Sequence, residues 1–115
     1  MKASPTREEL IASLEKMVGN IDLPKNKKRF ANYSKTLQFE FTDDLDYYCH
    51  IVFHEGTAKI VDGIDENAEL KITTTTVMIV AISDGSQSPM RAFMSGKIKA
   101  KGSPNDLMKL QALMK

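Results

Sequence analysis

Between Leu37 and Ile60 the chain alternates apolar and polar residues through three successive runs, separated only by turn chemistry. A period of two is the signature of half-buried strands, so this stretch commits the chain to an antiparallel sheet with one oily face. Leu37, Phe39 and Phe41 alternate with Gln38, Glu40 and Thr42, and Asp43-Asp44 supplies the turn. Tyr47, Cys49, Ile51 and Phe53 form the return strand, and Glu55-Gly56 reverses the chain into Ala58 and Ile60 before Asp62-Gly63 ends the run. A fourth strand follows at Ala68, Leu70 and Ile72, and a fifth at Ile98 and Ala100 between Lys97, Lys99 and Lys101.

The segments outside these runs read as helices. Thr6 and Glu9 make a capping box, and Leu10, Ile11, Leu14, Met17 and Val18 recur at helical spacing, which predicts a helix over 6–18 closed by a left-handed Gly19-Asn20. Pro24 bars an immediate restart, and the basic connector carrying Lys25, Lys27, Lys28 and Arg29 leads through Phe30 and Tyr33 as a short helix or docked loop. Residues 74–82 are contested: β-branched propensity favours a long strand, whereas a threonine N-cap favours a helix over 76–83 with nearly its whole circumference buried. Pro89 opens a short helix carrying Met90, Phe93 and Met94, ended by Gly96. Ser103-Pro104 starts a last helix with Leu107, Met108, Leu110, Leu113 and Met114 largely on one side. The expected architecture is α+β: a five-stranded mixed, mostly antiparallel sheet covered on one face by helices, in a single domain over 1–115.

Chemistry-bearing constellations are scarce. His50 and His54, four residues apart on a strand, stand about 13 Å apart, too far to share a metal, and read as surface histidines. Asp43, Asp44 and Asp46 lack the spacing of a calcium loop. Cys49 falls on the inward face of its strand, where a thiol packs inertly, and Ser95-Gly96 has no partnered histidine. No catalysis, cofactor or metal is expected. With 16 basic against 15 acidic residues the net charge of +1 gives no field to gather nucleic acid. A lone cysteine fits a reducing compartment, and the polar start and short apolar runs offer neither a signal peptide nor a span, so the expected location is cytoplasmic.

From Ala68 onward the order of features is specific: the strand Leu70-Lys71-Ile72, an apolar helix, a glycine, Pro89-Met90-Arg91-Ala92-Phe93-Met94, then Gly96-Lys97-Ile98-Lys99, Gly102 and Leu107-Met108-Lys109-Leu110. This order resembles the C-terminal half of the sterol carrier protein type 2 (SCP-2) lipid-transfer domain, while the N-terminal half agrees in pattern alone. The resemblance implies a helix over 76–83 and an apolar tunnel that binds, and transfers, fatty acid, fatty acyl-CoA or sterol-like ligands. The tunnel walls it implies draw on Phe39, Ile51, Phe53, Ile60, Leu70 and Ile98 from the sheet. From the helices come Met78, Ile79, Ile82, Met90, Phe93, Met94, Leu107, Met108, Leu110 and Met114, with Arg91 as a headgroup contact.

The helical methionines, read as facing the sheet or one another, suit either ligand lining or ordinary core filling. The lysines at 97, 99 and 101 suit either an anionic partner or a solvated edge. Expected partners are a long-chain lipid or acyl-CoA and, transiently, a membrane surface, with no nucleic acid and with the chain a monomer or weak dimer. Two other readings stay open: an interaction or dimerisation module with its tunnel closed, and an accessory that presents acyl-CoA to a separate enzyme.

Overall fold

A computed structural model describes residues 5–44 and 46–114. In chain order it contains α1 (Arg7–Gly19), a 3-10 turn (Asn20–Asp22), α2 (Pro24–Phe30), β1 (Lys35–Phe41), β2 (Tyr48–His54), β3 (Thr57–Asp62), β4 (Leu70–Thr74), α3 (Thr76–Ser83), α4 (Pro89–Met94), β5 (Lys99–Lys101) and α5 (Pro104–Met114). The strands lie in the order β3-β2-β1-β4-β5. β1/β2, β2/β3 and β4/β5 pair antiparallel, whereas β1/β4 pair parallel. The fold is therefore the mixed, five-stranded α+β sheet that the alternating runs require.

Register explains how a short link can cross the sheet. Asp62 at the end of β3 pairs with Cys49, which pairs with Phe39, while β4 begins with Leu70 opposite Leu37. The connection from 63 to 69 thus travels sideways over β2 and β1 with little backtracking along the strands. It crosses on the polar face and is tied there: the Asp65 N–H donates to Gln38 Oε1 at 2.8 Å, and Gln38 Nε2 donates to the Cys49 carbonyl at 3.0 Å. His50 Nδ1 lies 2.9 Å from the Gly63 carbonyl oxygen. His50 is accordingly buried, which corrects its reading as a surface histidine; His54 is exposed. Alternation placed His50 on the polar face correctly but gave no sign that a crossover would cover it.

Leu37, Phe39 and Phe41, with Cys49, Ile51, Phe53, Leu70 and Ile72, make the oily sheet face, and Leu10, Leu14, Met17, Phe30, Ile79, Leu110 and Leu113 meet it from the helices. Phe30 stacks on Phe53 at 5.4 Å between ring centres, and Tyr33 meets both edge-on. Thr6 and Glu9 form the reciprocal capping box. Gly19 and Asn20 instead stay right-handed, with φ of −60° and −64°, so α1 runs straight into the 3-10 turn. Asn20 is held there by its amide, which donates to the Leu113 carbonyl at 2.8 Å.

Residues 76–83 are helical because two caps converge on them. Thr75 accepts from the Met78 N–H, and Asp43 accepts from both the Thr76 N–H at 2.7 Å and the Thr76 hydroxyl at 2.8 Å. Burial alone would raise the Asp43 pKa, but these donors outweigh it and hold the carboxyl below its ordinary value. α3 buries Thr76, Ile79 and Ile82 and leaves Val77 exposed, so the expected burial of its whole circumference is not met. α1 packs against it, and its Val77 side faces water.

The β5-to-α5 handover passes close over Leu70. A Cβ added at Gly102 would fall 2.8 Å from the Leu70 Cδ2 atom, and Leu70 is fully buried. Gly102→Ala is expected to destabilise the fold by about 1–2 kcal/mol through overpacking, read as a lowered midpoint in urea.

Candidate functional site

The helical layer does not close over the sheet at its β3 edge. There, where α1 gives way to the 3-10 turn, a groove of about 460 Å³ opens between Glu15, Val18, Gly19, Ile21 and Asp22 on one wall and residues 56–60 on the other. Val18, Ile21, Ala58 and Ile60 supply its apolar surface; Glu15, Asp22 and Lys59 stand around it with the only charges among its lining residues. Gly19 and Gly56 contribute no side chain, which keeps both walls low. The volume lies within the range of small-molecule sites, roughly 300–1,000 Å³.

A second hollow of about 300 Å³ opens on the other flank of α1, among Lys16, Met17, Asn20, Ile82, Asp84, Gly85 and Met114. Between the two hollows stand the end of α1 and the 3-10 turn, with Met17 and Ile21 buried and the α5 terminus, Leu113 and Met114, packed into the same core. Methionine re-packs at low cost because its chain is unbranched, so two of the residues dividing the hollows are the adaptable kind. Both hollows are open to solvent.

The expected ligand residues divide into three groups. Phe39, Ile51, Phe53, Leu70, Ile79, Ile98 and Leu110 lie in the closed core, and Met78, Phe93 and Leu107 pack half-buried against it. Ile60 lines the first groove, and Ile82 and Met114 line the second. Met90, Met94 and Met108 point outward, with 47%, 81% and 70% of their surfaces exposed, which corrects the inward placement expected for every helical methionine. α4 buries Ala92 alone and packs Phe93, and α5 buries the stripe through Asp106, Leu110 and Leu113, so Met108 falls on its far side. Arg91 stays on the surface, where it lines a hollow of about 500 Å³ with Met94 and Lys97. Val18, Ile21 and Ala58 were not singled out from sequence: Ile21 sits in a connector without periodicity, and Ala58 is small.

Other polar clusters hold the structure together. Cys49 is fully buried, and burial pushes its thiol up to about 11, which leaves no thiolate at neutral pH. Among the described residues no group of three His, Cys, Asp or Glu side chains could hold a metal ion. No described helix is long and apolar enough to cross a membrane.

The SCP-2 sterol transfer family matches residues 7–115, and the chain belongs to that family. Among solved structures, the sterol carrier protein domain 2 of Helicoverpa armigera superposes with a TM-score of 0.71 at 21% identity, over 98% of this chain and 92% of that one. Palmitated SCP2L2 from Aedes aegypti gives 0.71 at 17% identity, over 96% and 95%. The ubiquinone synthesis protein UbiJ-SCP2 gives 0.64 at 16% identity, over 97% and 93%. No curated protein sequence matches this chain. Membership of the family supports lipid or sterol binding, or transfer, as the class of function.

Proposed function

We propose that residues 1–115 act as one cytoplasmic carrier that holds a long-chain lipid, either fatty acid or fatty acyl-CoA, with its chain entering through the α1/β3 groove and no bond of the ligand made or broken. The observation that carries this reading is the apolar lining of that groove by Val18, Ile21, Ala58 and Ile60 at the edge of an otherwise closed core. The palmitated neighbour supports an acyl chain as the cargo. Displacing Met17, Ile21 and Met114 would join the two hollows into the tunnel that a long chain needs, and a carboxylate at the mouth would meet Lys59, the one cation lining the groove among the described residues. A sterol-like polycycle is a bulkier fit to the same opening.

Magnitudes favour long chains. Burying a methylene returns about 0.8 kcal/mol, against an association cost of about 4–15 kcal/mol. Saturable displacement of a fluorescent acyl probe by palmitate tests the reading, with myristate, two methylenes shorter, expected to bind roughly tenfold more weakly. Absence of saturable binding by any long-chain acid or acyl-CoA would end it.

A further inference from the structure

We infer that the free edge of β3 binds an extended peptide of a partner protein as a sixth, antiparallel strand, with the peptide's apolar side chains lying in the α1/β3 groove. β3 stands at the end of the strand order, so β2 alone pairs with it. Which of its backbone groups are left over follows from the turn before it. Glu55 and Gly56, at φ of 44° and 87°, make a two-residue hairpin turn that closes on the pair His54 and Thr57. Antiparallel pairs alternate between bonded and non-bonded, so Thr57, Lys59 and Val61 exchange hydrogen bonds with β2. The Gly63 N–H continues that phase by donating to the Tyr48 carbonyl at 2.9 Å. Ala58 and Ile60, in the opposite phase, turn their N–H and C=O groups away from β2, and among the described residues neither backbone has another hydrogen-bond partner.

The same two residues line the groove with their side chains. A strand paired with Ala58 and Ile60 places the side chains opposite them on the groove face, with Val18 and Ile21, and the side chain between them on the outer face beside Lys59. Charge then sets the partner's pattern as an acidic residue between two apolar ones. Lys59 attracts an anion on the outer face, while Glu15 and Asp22 on the α1 wall repel one on the groove face. Strand addition draws affinity from the main-chain ladder and specificity from pockets for alternate side chains, and this edge offers both. An acyl chain would use the apolar wall alone. The opposite edge is defended against such pairing: β5 has three residues, bordered and occupied by Lys97, Lys99 and Lys101, whereas Lys59 is the one lysine in the six residues of β3. The inference concerns the β3 backbone and stands whether or not the groove also carries lipid.

Selection of a random heptapeptide library against the full chain tests this, and enrichment of apolar–acidic–apolar triplets is expected. With the enriched peptide bound, hydrogen exchange followed by NMR should show the Ala58 and Ile60 amides gaining the most protection, at least about tenfold, because those two N–H groups enter the new ladder. N-methylation of the peptide at its two apolar residues leaves the side chains unchanged and should weaken binding at least about tenfold. Ala58→Pro removes an outward N–H that the fold does not use, which an edge strand tolerates, and should weaken binding several-fold with the circular dichroism unchanged. The N-methylated peptide probes the unaltered protein, so the test holds even if that variant misfolds. No enrichment, protection that misses Ala58 and Ile60, equal binding of the N-methylated peptide, or a dimer in light scattering that protects the same amides without peptide would each overturn the proposal. Palmitate binding, measured separately, reads the cargo proposal and leaves these outcomes unaffected.

Discussion

Asp106→Ala is expected to lower the free energy of unfolding by about 2 kcal/mol, chiefly the cost of leaving the buried Tyr33 hydroxyl without its acceptor, since Lys35 can turn to water. The Asp106 carboxylate accepts from the Tyr33 hydroxyl at 2.6 Å, from Lys35 Nζ at 2.9 and 3.1 Å and from the Ser103 hydroxyl at 2.8 Å, while its own N–H donates to Ser103 Oγ at 3.1 Å. Ser103 thus caps α5, and the Asp106 carboxylate fastens that helix to Lys35 at the start of β1. Burial would raise the carboxyl pKa, but the bonds from Tyr33, Lys35 and Ser103 outweigh it and hold it at about 2. Burial first, and then the bond to Asp106, push the Tyr33 hydroxyl up, so it remains a donor.

The pH dependence follows from the sign of that shift. A carboxyl whose pKa is lower folded than unfolded stabilises the fold fully above its unfolded value, 3.8, and loses that contribution as pH falls through about 2. Acid unfolding should therefore steepen between about pH 4 and pH 2, a drop of about 2 kcal/mol for the natural chain that Asp106→Asn removes. Equal acid sensitivity in both proteins by urea titration would contradict this account.

Much of the fold is legible because its signals are local. The alternation at Leu37, Phe39, Phe41 and at Cys49, Ile51, Phe53 fixes which face of the sheet is oily, since a slip of one residue would expose the entire set. The α3 segment is legible through Thr75 and not through Val77 or Val80, whose β-branched side chains argue for a strand. Long-range features leave no such trace. Nothing near Asp43 announces that it will cap a helix 33 residues away, and nothing near His50 announces the crossover that buries it.

The site is less legible than the fold for the same reason. The groove is lined by residues from the end of α1, the 3-10 turn and residues 56–60, and Gly19 and Asn20 continue into that turn in place of the left-handed stop. Apolar residues at helical spacing report that a face is covered but not by what. Met17 and Met114 are covered by the core, whereas Met94 and Met108, equally apolar, are largely exposed. Methionine content alone could not separate the two sets.

Ile60→Glu is expected to weaken long-chain acid or acyl-CoA binding at least about 100-fold while leaving the protein folded. Ile60 lies half-buried on an edge strand opposite Ile51, with its side chain in the groove wall, so a carboxylate there can reach water in the free protein. With an acyl chain seated, that water is expelled, and the new charge is both desolvated and close to the ligand's own anionic head. The cost to folding should be about 1–2 kcal/mol from lost apolar burial, and the cost to binding should be larger, since the ligand adds the second desolvation. Ile60→Leu keeps the volume and should bind normally. Isothermal titration with palmitate and palmitoyl-CoA separates the outcomes: full affinity in Ile60→Glu would show that the acyl chain enters elsewhere, whereas a comparable loss in Ile60→Leu would show that groove shape, and not its oily character, sets the affinity.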